Sequence, residues 1–246
     1  MFKDKNIPKH VGIIMDGNRR WAMERNLLTF EGHLKGYQKM RESKEWFFAR
    51  GVEIISYFAF STENWNRSRE EVNYLMKLLE EALQKEGEEA VEKGYKVLIS
   101  GRIDELPGDL PELCYDAMNK TKPGRNGTIN ICLNYGGRAE IVDAVKKIFK
   151  NNIELEQIHE GMIRKHLYNG DLSDPDIIVR TSGEERISGF LLWESSYAEL
   201  MFMKKFWPEF EEHDVNLILE EYGRRKRRFG GDWKTEIGIE KAETRS

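Results

Sequence analysis

Six short apolar runs alternate along this chain with longer stretches of helical periodicity, and that alternation is its strongest constraint. The runs cover residues 11–15, 52–60, 95–100, 128–134, 176–180 and 199–203. Each is strand-length, and runs such as Val11 to Met15 lack the polar alternation of a half-exposed strand, so they read as strands buried on both faces. Between and after them, residues 32–50, 69–93, 110–120, 139–151, 158–168 and 214–228 read as helices. Strands that alternate with helices assemble into a parallel sheet covered on both faces. The expected fold is α/β, a mostly parallel central sheet of about six strands flanked by helices. No repeat, low-complexity tract or long linker divides the sequence, and 39% hydrophobic residues suffice for a sizeable core, so residues 1–246 read as a single domain.

Charge is abundant but balanced: 33% charged residues give a net charge of −4, which argues against a nucleic-acid surface. Cys114 and Cys132 form no CxxC pattern and have no clustered histidines, so neither a zinc site nor a disulfide framework is expected. The amino terminus lacks an apolar signal core, and no run approaches the roughly 18 apolar residues that span a bilayer. A cytoplasmic protein is expected, with peripheral membrane contact left open should its product be a lipid.

The chemistry concentrates at strand ends. His10-Val-Gly-Ile-Ile-Met-Asp-Gly-Asn-Arg-Arg-Trp21 delivers Asp16 to the carboxyl end of the first strand, where open α/β sheets hold ligands. Gly17 permits a close turn, a helix from Asn18 would aim free N–H groups at the same spot, and Arg19 and Arg20 supply phosphate-matched charge. A carboxylate beside two arginines suggests a bridging Mg²⁺, which takes one or two carboxylates plus substrate phosphates. The plain alternative is an ordinary turn with solvated arginines.

Phe60-Ser-Thr-Glu-Asn-Trp-Asn-Arg67 follows the second strand at the same edge. Ser61 and Asn64 can orient ligand oxygens, Trp65 can exclude water and Arg67 can add charge; equally, Ser68 and Glu71 can close a capping box. After the fifth strand, Arg180, Gly183, Arg186 and Ser188 form a candidate second anion cradle, against the alternative of surface ion pairs with Glu184 and Glu185. Glu199 is an isolated acid in apolar surroundings, a candidate partner of the metal. The basic run 224–231 complements a helix C-terminus, and its Arg-Arg-Phe-Gly-Gly ending suggests reach into another site. Val72, Leu75, Met76, Leu79, Ala82 and Leu83 form a helical stripe that is either plain core or the wall of a cavity.

Taken in order, the segments 10–21, 32–33, 60–67, 134–138, 180–190, 193, 197–199 and 228–231 closely resemble the cis-prenyltransferases, the undecaprenyl diphosphate synthase-like family, collinearly from about residue 8 to 233. The resemblance implies a homodimer with a hydrophobic tunnel. It also implies Mg²⁺-dependent lengthening of an allylic prenyl diphosphate by isopentenyl diphosphate, forming Z double bonds and releasing diphosphate. By that analogy Asp16 and Asn64 are catalytic, and Asp16 and Glu199 serve the metal. Gly17, Asn18, Arg19 and Arg20 would hold the allylic diphosphate, and Arg180, Arg186 and Ser188 the isopentenyl one. Trp21, His33, Ser61, Thr62, Glu63, Trp65, Arg67 and Glu71 occupy supporting positions, and Arg228 and Gly230 would reach the neighbouring subunit's isopentenyl site. Residues 234–246 are expected to be a flexible tail. No Asp-Asp-x-x-Asp pair is present, which separates the chain from the all-helical trans enzymes.

Thr29 stands where many members of that family carry an arginine for the allylic diphosphate, with Lys35 or Arg25 as candidate substitutes. Glu185 and Gly189 likewise replace a frequent histidine and asparagine. These departures bear on substrate and product, so a synthase of short or irregular products is an alternative reading. A non-catalytic partner subunit is another, opposed by the presence of Asp16, Arg20, Arg180, Arg186 and Glu199.

Overall fold

In the computed structural model, which describes residues 6–225, the apolar runs fold as β1 (His10–Ile14), β2 (Ile54–Ser61), β3 (Lys96–Ser100), β4 (Thr128–Tyr135), β5 (Ile177–Arg180) and β6 (Glu199–Phe202). They form one sheet in the order β3-β4-β2-β1-β5-β6, with every neighbouring pair parallel. The chain builds outward from β1 through β2 and then crosses back to lay β5 on β1's other side. The strand order therefore reverses between β1 and β5, and in open parallel sheets the crevice at such a reversal is the ligand site.

Seven helices follow among the described residues: α1 (Asn18–Glu24), α2 (Thr29–Phe48), α3 (Arg69–Lys93), α4 (Leu110–Thr121), α5 (Gly137–Lys150), α6 (Glu160–His166) and α7 (Glu212–Arg224). Side-chain alternation along each strand sorts the core into two layers. Val11, Ile13, Ile55, Tyr57, Ile131 and Val179 face one layer with Met40 and Phe47 of α2, Leu75 and Leu83 of α3, and Ile218 and Leu219 of α7. Ile14, Cys132, Tyr135, Ile178, Phe190 and Leu191 form the other. This second layer departs from an all-apolar expectation. His10 Nε2 meets Ser56 Oγ at 2.8 Å, Asn130 donates to Ser56 Oγ at 3.0 Å, and Ser100 Oγ donates to Asn130 Oδ1 at 2.8 Å. His10, Ser56, Asn130 and Ser100 thereby satisfy one another, and burial pushes His10 down to about 4, so it stays neutral.

Helix α2 begins three residues before the position its periodicity predicts, because the Glu31 carboxylate accepts the Leu28 N–H at 2.9 Å and caps the end. Gly32 lies inside the helix, where glycine is ordinarily unfavourable. Its reason is contact: a Cβ there would stand 2.2 Å from the Asn18 carbonyl oxygen of α1. Helix α7 starts at Glu212, where the Glu211 N–H finds Asp214 Oδ2 at 2.7 Å. The expected extension of α7 to 228, the sites Arg228 and Gly230, and the expected tail lie outside the described residues. No described helix is long and apolar enough to cross a membrane.

The α1–α2 contact has a measurable consequence. Gly32→Ala overpacks it and is expected to cost about 1–3 kcal/mol, read as a lower urea midpoint at unchanged slope.

Candidate active site

Asp16 follows β1 and faces β5. Its Oδ2 accepts from Arg180 Nη2 at 2.8 Å and Nε at 3.3 Å, and its Oδ1 accepts from Arg20 Nη2 at 3.2 Å. The backbone beneath is pinned, since Thr181 Oγ1 and the Trp207 N–H both donate to the Asp16 carbonyl, at 2.7 and 3.0 Å. Gly17 turns the chain at φ 106°, and a Cβ there would meet the Phe206 ring at 2.7 Å. Burial alone would raise the Asp16 carboxyl. The hydrogen bond and charge of Arg180, joined by Arg20, outweigh burial and hold it below the usual carboxylate range.

Arg180 ends β5 and is itself buried, donating to the Arg186 carbonyl at 2.6 Å and to Ser188 Oγ at 2.9 Å. Arg20 is shared with Ser182 Oγ and with Glu184 Oε1, the latter at 3.0 Å, while the other oxygen of Glu184 takes Arg186 Nη1 at 2.5 Å. Ser182 and Ser188 adopt φ values of 78° and 49°. Such left-handed conformations in non-glycine residues concentrate at ligand clamps.

Two recesses open on either side of this carboxylate. A cleft of about 810 Å³ has Ile14, Met15, Phe58 and Leu192 among its lining, together with Asp16, Arg180, Ser188, Ser61, Thr62, Glu63, Asn64, Arg67 and the 136–139 turn. A second, of about 400 Å³, is lined by Met15, Asp16, Gly17, Asn18, Arg19, Arg20, Met23, His33 and Arg67. Glu71, buried at the start of α3, organises the wall of the second: it takes His33 Nε2 at 3.0 Å, Arg67 Nη1 at 3.1 Å and Arg19 at 3.7 Å. Ser68 Oγ caps the Glu71 N–H at 3.3 Å, as a capping box predicts, but the Glu71 carboxylate turns to the site. Burial lowers Arg67 below the usual guanidinium range and outweighs Glu71, with Arg19 adding to the effect. It also lowers His33 despite Glu71, so a neutral ring donates to that carboxylate. Beyond His33 the recess meets an apolar cavity of about 90 Å³ between α2 and α3 that shares Met15, Asn18 and His33 with it.

The structure therefore brings together Asp16, Gly17, Asn18, Arg19, Arg20, Ser61, Thr62, Glu63, Asn64, Arg67, Arg180 and Ser188, with His33 and Glu71. Asn64 Oδ1 accepts from the Ser61 N–H at 3.1 Å, and Trp65 Nε1 donates to Asn134 Oδ1 at 2.8 Å. Five positions depart from expectation, Trp65 among them, since it lines neither recess. Trp21 lines neither recess and carries Arg25 over its ring at 4.9 Å. Arg25 is also held by Glu209 at 2.5 Å, so it does not stand in for the arginine absent at Thr29. Arg186 faces Glu184, with 60% of its side chain exposed. The reading of Glu199 as a second ligand beside Asp16 fails within the protomer. Glu199 pairs in register with Ile177, and Ile177 with Val11, at the amino edge of the sheet. Asp16 lies five residues further on, about 16 Å along extended strand, and Glu199 instead takes Arg225 Nη1 at 3.0 Å. Sequence reasoning left Arg138 and its glycines out of the site and treated Glu184 only as a surface partner. The signal for Arg138 was present: Gly136-Gly-Arg138 directly follows β4 at the same edge.

Below the cleft, the 136–139 and 188–192 rims stand over two buried acids. Glu140 accepts from the Tyr135 hydroxyl and, at 3.0 Å, from the Tyr168 N–H. Glu194 reaches Arg164 at 3.4 Å, an arginine it shares with Asp174 at 2.9 Å. Burial, reinforced by Glu140, pushes Glu194 up to about 7. An acid with a raised folded-state pKa binds more protons folded than unfolded, so stability falls as pH climbs from the ordinary glutamate range to about 7 and is level above it. Glu194→Gln is expected to flatten that slope, measured as urea midpoints at pH 5 and pH 8; equal slopes in both proteins would contradict it.

Two arginine-lined recesses that share one carboxylate, at the reversal point of a parallel sheet, suit the binding of two phosphorylated groups. Residues 14–230 match the family model described as putative undecaprenyl diphosphate synthase. The chain belongs to this prenyltransferase family. It is 46% identical over 230 residues to a geranylgeranyl-diphosphate-specific tritrans,polycis-undecaprenyl-diphosphate synthase of Pyrococcus furiosus, covering 91% of this chain and 87% of that one. It is 42% identical over 229 residues to a farnesyl-diphosphate-specific ditrans,polycis-undecaprenyl-diphosphate synthase of Micrococcus luteus, covering 92% of each. Among solved structures, it resembles lavandulyl diphosphate synthase from Lavandula x intermedia in complex with dimethylallyl diphosphate. That likeness has a TM-score of 0.87 at 30% identity, over 91% of this chain and 98% of the other.

Proposed function

We propose that this prenyltransferase condenses isopentenyl diphosphate with an allylic prenyl diphosphate to give a Z-polyprenyl diphosphate and free diphosphate. The observation that carries the reading is the sharing of Asp16 between Arg20 and Arg180, one arginine for each recess, with an apolar cavity continuing from the Arg20 side. The allylic C–O bond breaks and its electron pair leaves on diphosphate. The isopentenyl double bond bonds to the allylic carbon, and a proton passes from the isopentenyl fragment to the released diphosphate, restoring a double bond. Arg19, Arg20 and Arg67 stabilise charge growing on the leaving diphosphate, and Arg180 and Ser188 orient the second substrate, with Arg186 at the rim. Asn64 has its oxygen engaged by Ser61, which leaves its amide hydrogens for a ligand. Trp65 backs the 61–64 segment from outside the recesses, packed on Phe60 with ring centres 5.0 Å apart.

Mg²⁺ suits the donor set. Among the described residues no group of three or more His, Cys, Asp or Glu side chains forms a protein cage, and Mg²⁺ commonly uses one or two carboxylates plus phosphate oxygens. Asp16 is that carboxylate, a hard oxygen donor already in contact with both arginines. When bound, the ion neutralises charge on the diphosphate. We further propose that residues 1–246 form one catalytic domain acting in the cytoplasm as a homodimer, with Arg228 and Gly230 completing the partner's site and peripheral membrane contact at product release. Supporting this are one sheet running from residue 10 to 202, free thiols at Cys114 and Cys132, and an edge strand β6 with Leu200 39% exposed.

The test is incubation with Mg²⁺, labelled isopentenyl diphosphate and dimethylallyl, geranyl, farnesyl or geranylgeranyl diphosphate, reading product length and double-bond geometry. Long Z-products are expected from at least one primer; only short or irregular products would favour a divergent synthase. Asp16→Asn is expected to lower kcat by about 100-fold or more, and undiminished turnover would overturn its role. Chelation by EDTA is expected to abolish product formation and added Mg²⁺ to restore it.

A further inference from the structure

Helices α2 and α3 run side by side away from the site and are tied at both ends by a carboxylate of α3. Near the site Glu71 takes His33. At the far end Glu86 takes the ammonium of Lys44. Between the ties lies the cavity of about 90 Å³, walled by apolar groups such as Met40, Leu75, Leu79, Ala82 and Ile131. The wall changes character at the bottom, where Tyr37 and Glu86 face the cavity. From Leu75 to Glu86 is eleven helical residues, about 16 Å.

We propose that the buried Glu86–Lys44 ion pair, with the Tyr37 hydroxyl bonded to it, is the stop that ends the prenyl cavity and fixes the length of the product. Glu86 is 4% exposed and Lys44 1%. The Tyr37 hydroxyl donates to Glu86 Oε1 at 3.1 Å, Arg41 Nε lies 2.7 Å from that oxygen, and Lys44 Nζ also stands 3.5 Å from Glu89. An apolar floor of leucine or methionine could yield to an advancing chain by changing rotamer. This floor cannot. Hydrocarbon pushed against it must part a buried ion pair, or leave a desolvated charge facing apolar atoms, and either penalty exceeds the gain from burying a few more methylenes. A buried pair is also a poor stabiliser compared with apolar residues of the same volume, so its place at the end of an apolar cavity calls for a role other than stability. Glu86 meets the chain, while Lys44 is a positioning residue that acts through it.

The proposal rests on the reading that this cavity receives the growing chain, and the experiment separates the two. Products are sized after incubation with Mg²⁺, labelled isopentenyl diphosphate and the best primer for wild type, Ala82→Leu, Tyr37→Ala and the paired apolar replacement Lys44→Met with Glu86→Leu. Ala82 lies above the stop, so Ala82→Leu is expected to shorten the longest product by at least one five-carbon unit. The paired replacement and Tyr37→Ala are expected to lengthen it by at least one unit. Should the paired variant fail to fold by circular dichroism, Tyr37→Ala decides the point. Shortening by Ala82→Leu without lengthening by the floor variants would overturn the stop alone. No change from Ala82→Leu would overturn the cavity as the path of the chain, and the stop with it.

Discussion

The contact between Asp16 and Arg180 joins the two strands at whose ends the chain reverses its order, and most of the site hangs on it. Arg180 is buried and would be a costly cation without a partner. Asp16 supplies the countercharge at 2.8 Å, and its second oxygen fixes Arg20 on the opposite side. The five guanidiniums of Arg19, Arg20, Arg67, Arg180 and Arg186 stand against the three carboxylates of Asp16, Glu71 and Glu184, which leaves a net positive centre whose field suits an incoming diphosphate. The neighbouring serines are part of the same arrangement: Ser182 and Ser188 hold Arg20 and Arg180 from backbone conformations that only a well-packed surround sustains.

Glu71 plays the corresponding part on α3. It gathers His33, Arg67 and Arg19 from three segments, so the wall of the smaller recess is fixed by one acid rather than by the loop 61–67 itself. The close approach of Gly32 to Asn18 then sets where α1 presents its arginines. Packing and electrostatics are thus coupled: the helix contact places the cations, and the acids between them offset their mutual repulsion.

Much of this was legible in the sequence because parallel strands all end at one edge. Once 11–15, 52–60 and 176–180 read as strands, Asp16, Ser61 and Arg180 had to converge, and they do. The same rule places Glu199 at the opposite edge, since it opens its strand instead of closing it; resemblance to a family suggested a metal partner where strand polarity does not allow one within the protomer. Strand limits moved by at most two residues, whereas α2 began early because the Glu31 cap is a side-chain device that periodicity does not register. Lys44 and Glu86 were beyond sequence reading for another reason. Charged residues on helices ordinarily face water, and the pairing of positions 42 residues apart depends on how α2 and α3 dock.

That docking also determines how a cavity of about 90 Å³ can serve a chain that lengthens. Its ends are held by His33–Glu71 and Lys44–Glu86, and near the upper end Phe30 stacks on Tyr74 with ring centres 4.5 Å apart. Between them the described lining is mainly apolar side chains such as Met40, Leu75, Leu79, Ala82 and Leu83, whose contacts have no direction and re-form after a rotamer change. In the proposal of an ionic stop, the directional bonds at the two ends fix the length of the slot, while the non-directional packing between them can yield in width. A growing hydrocarbon can displace its neighbours sideways, and the energetic resistance it meets rises steeply only where the wall becomes ionic.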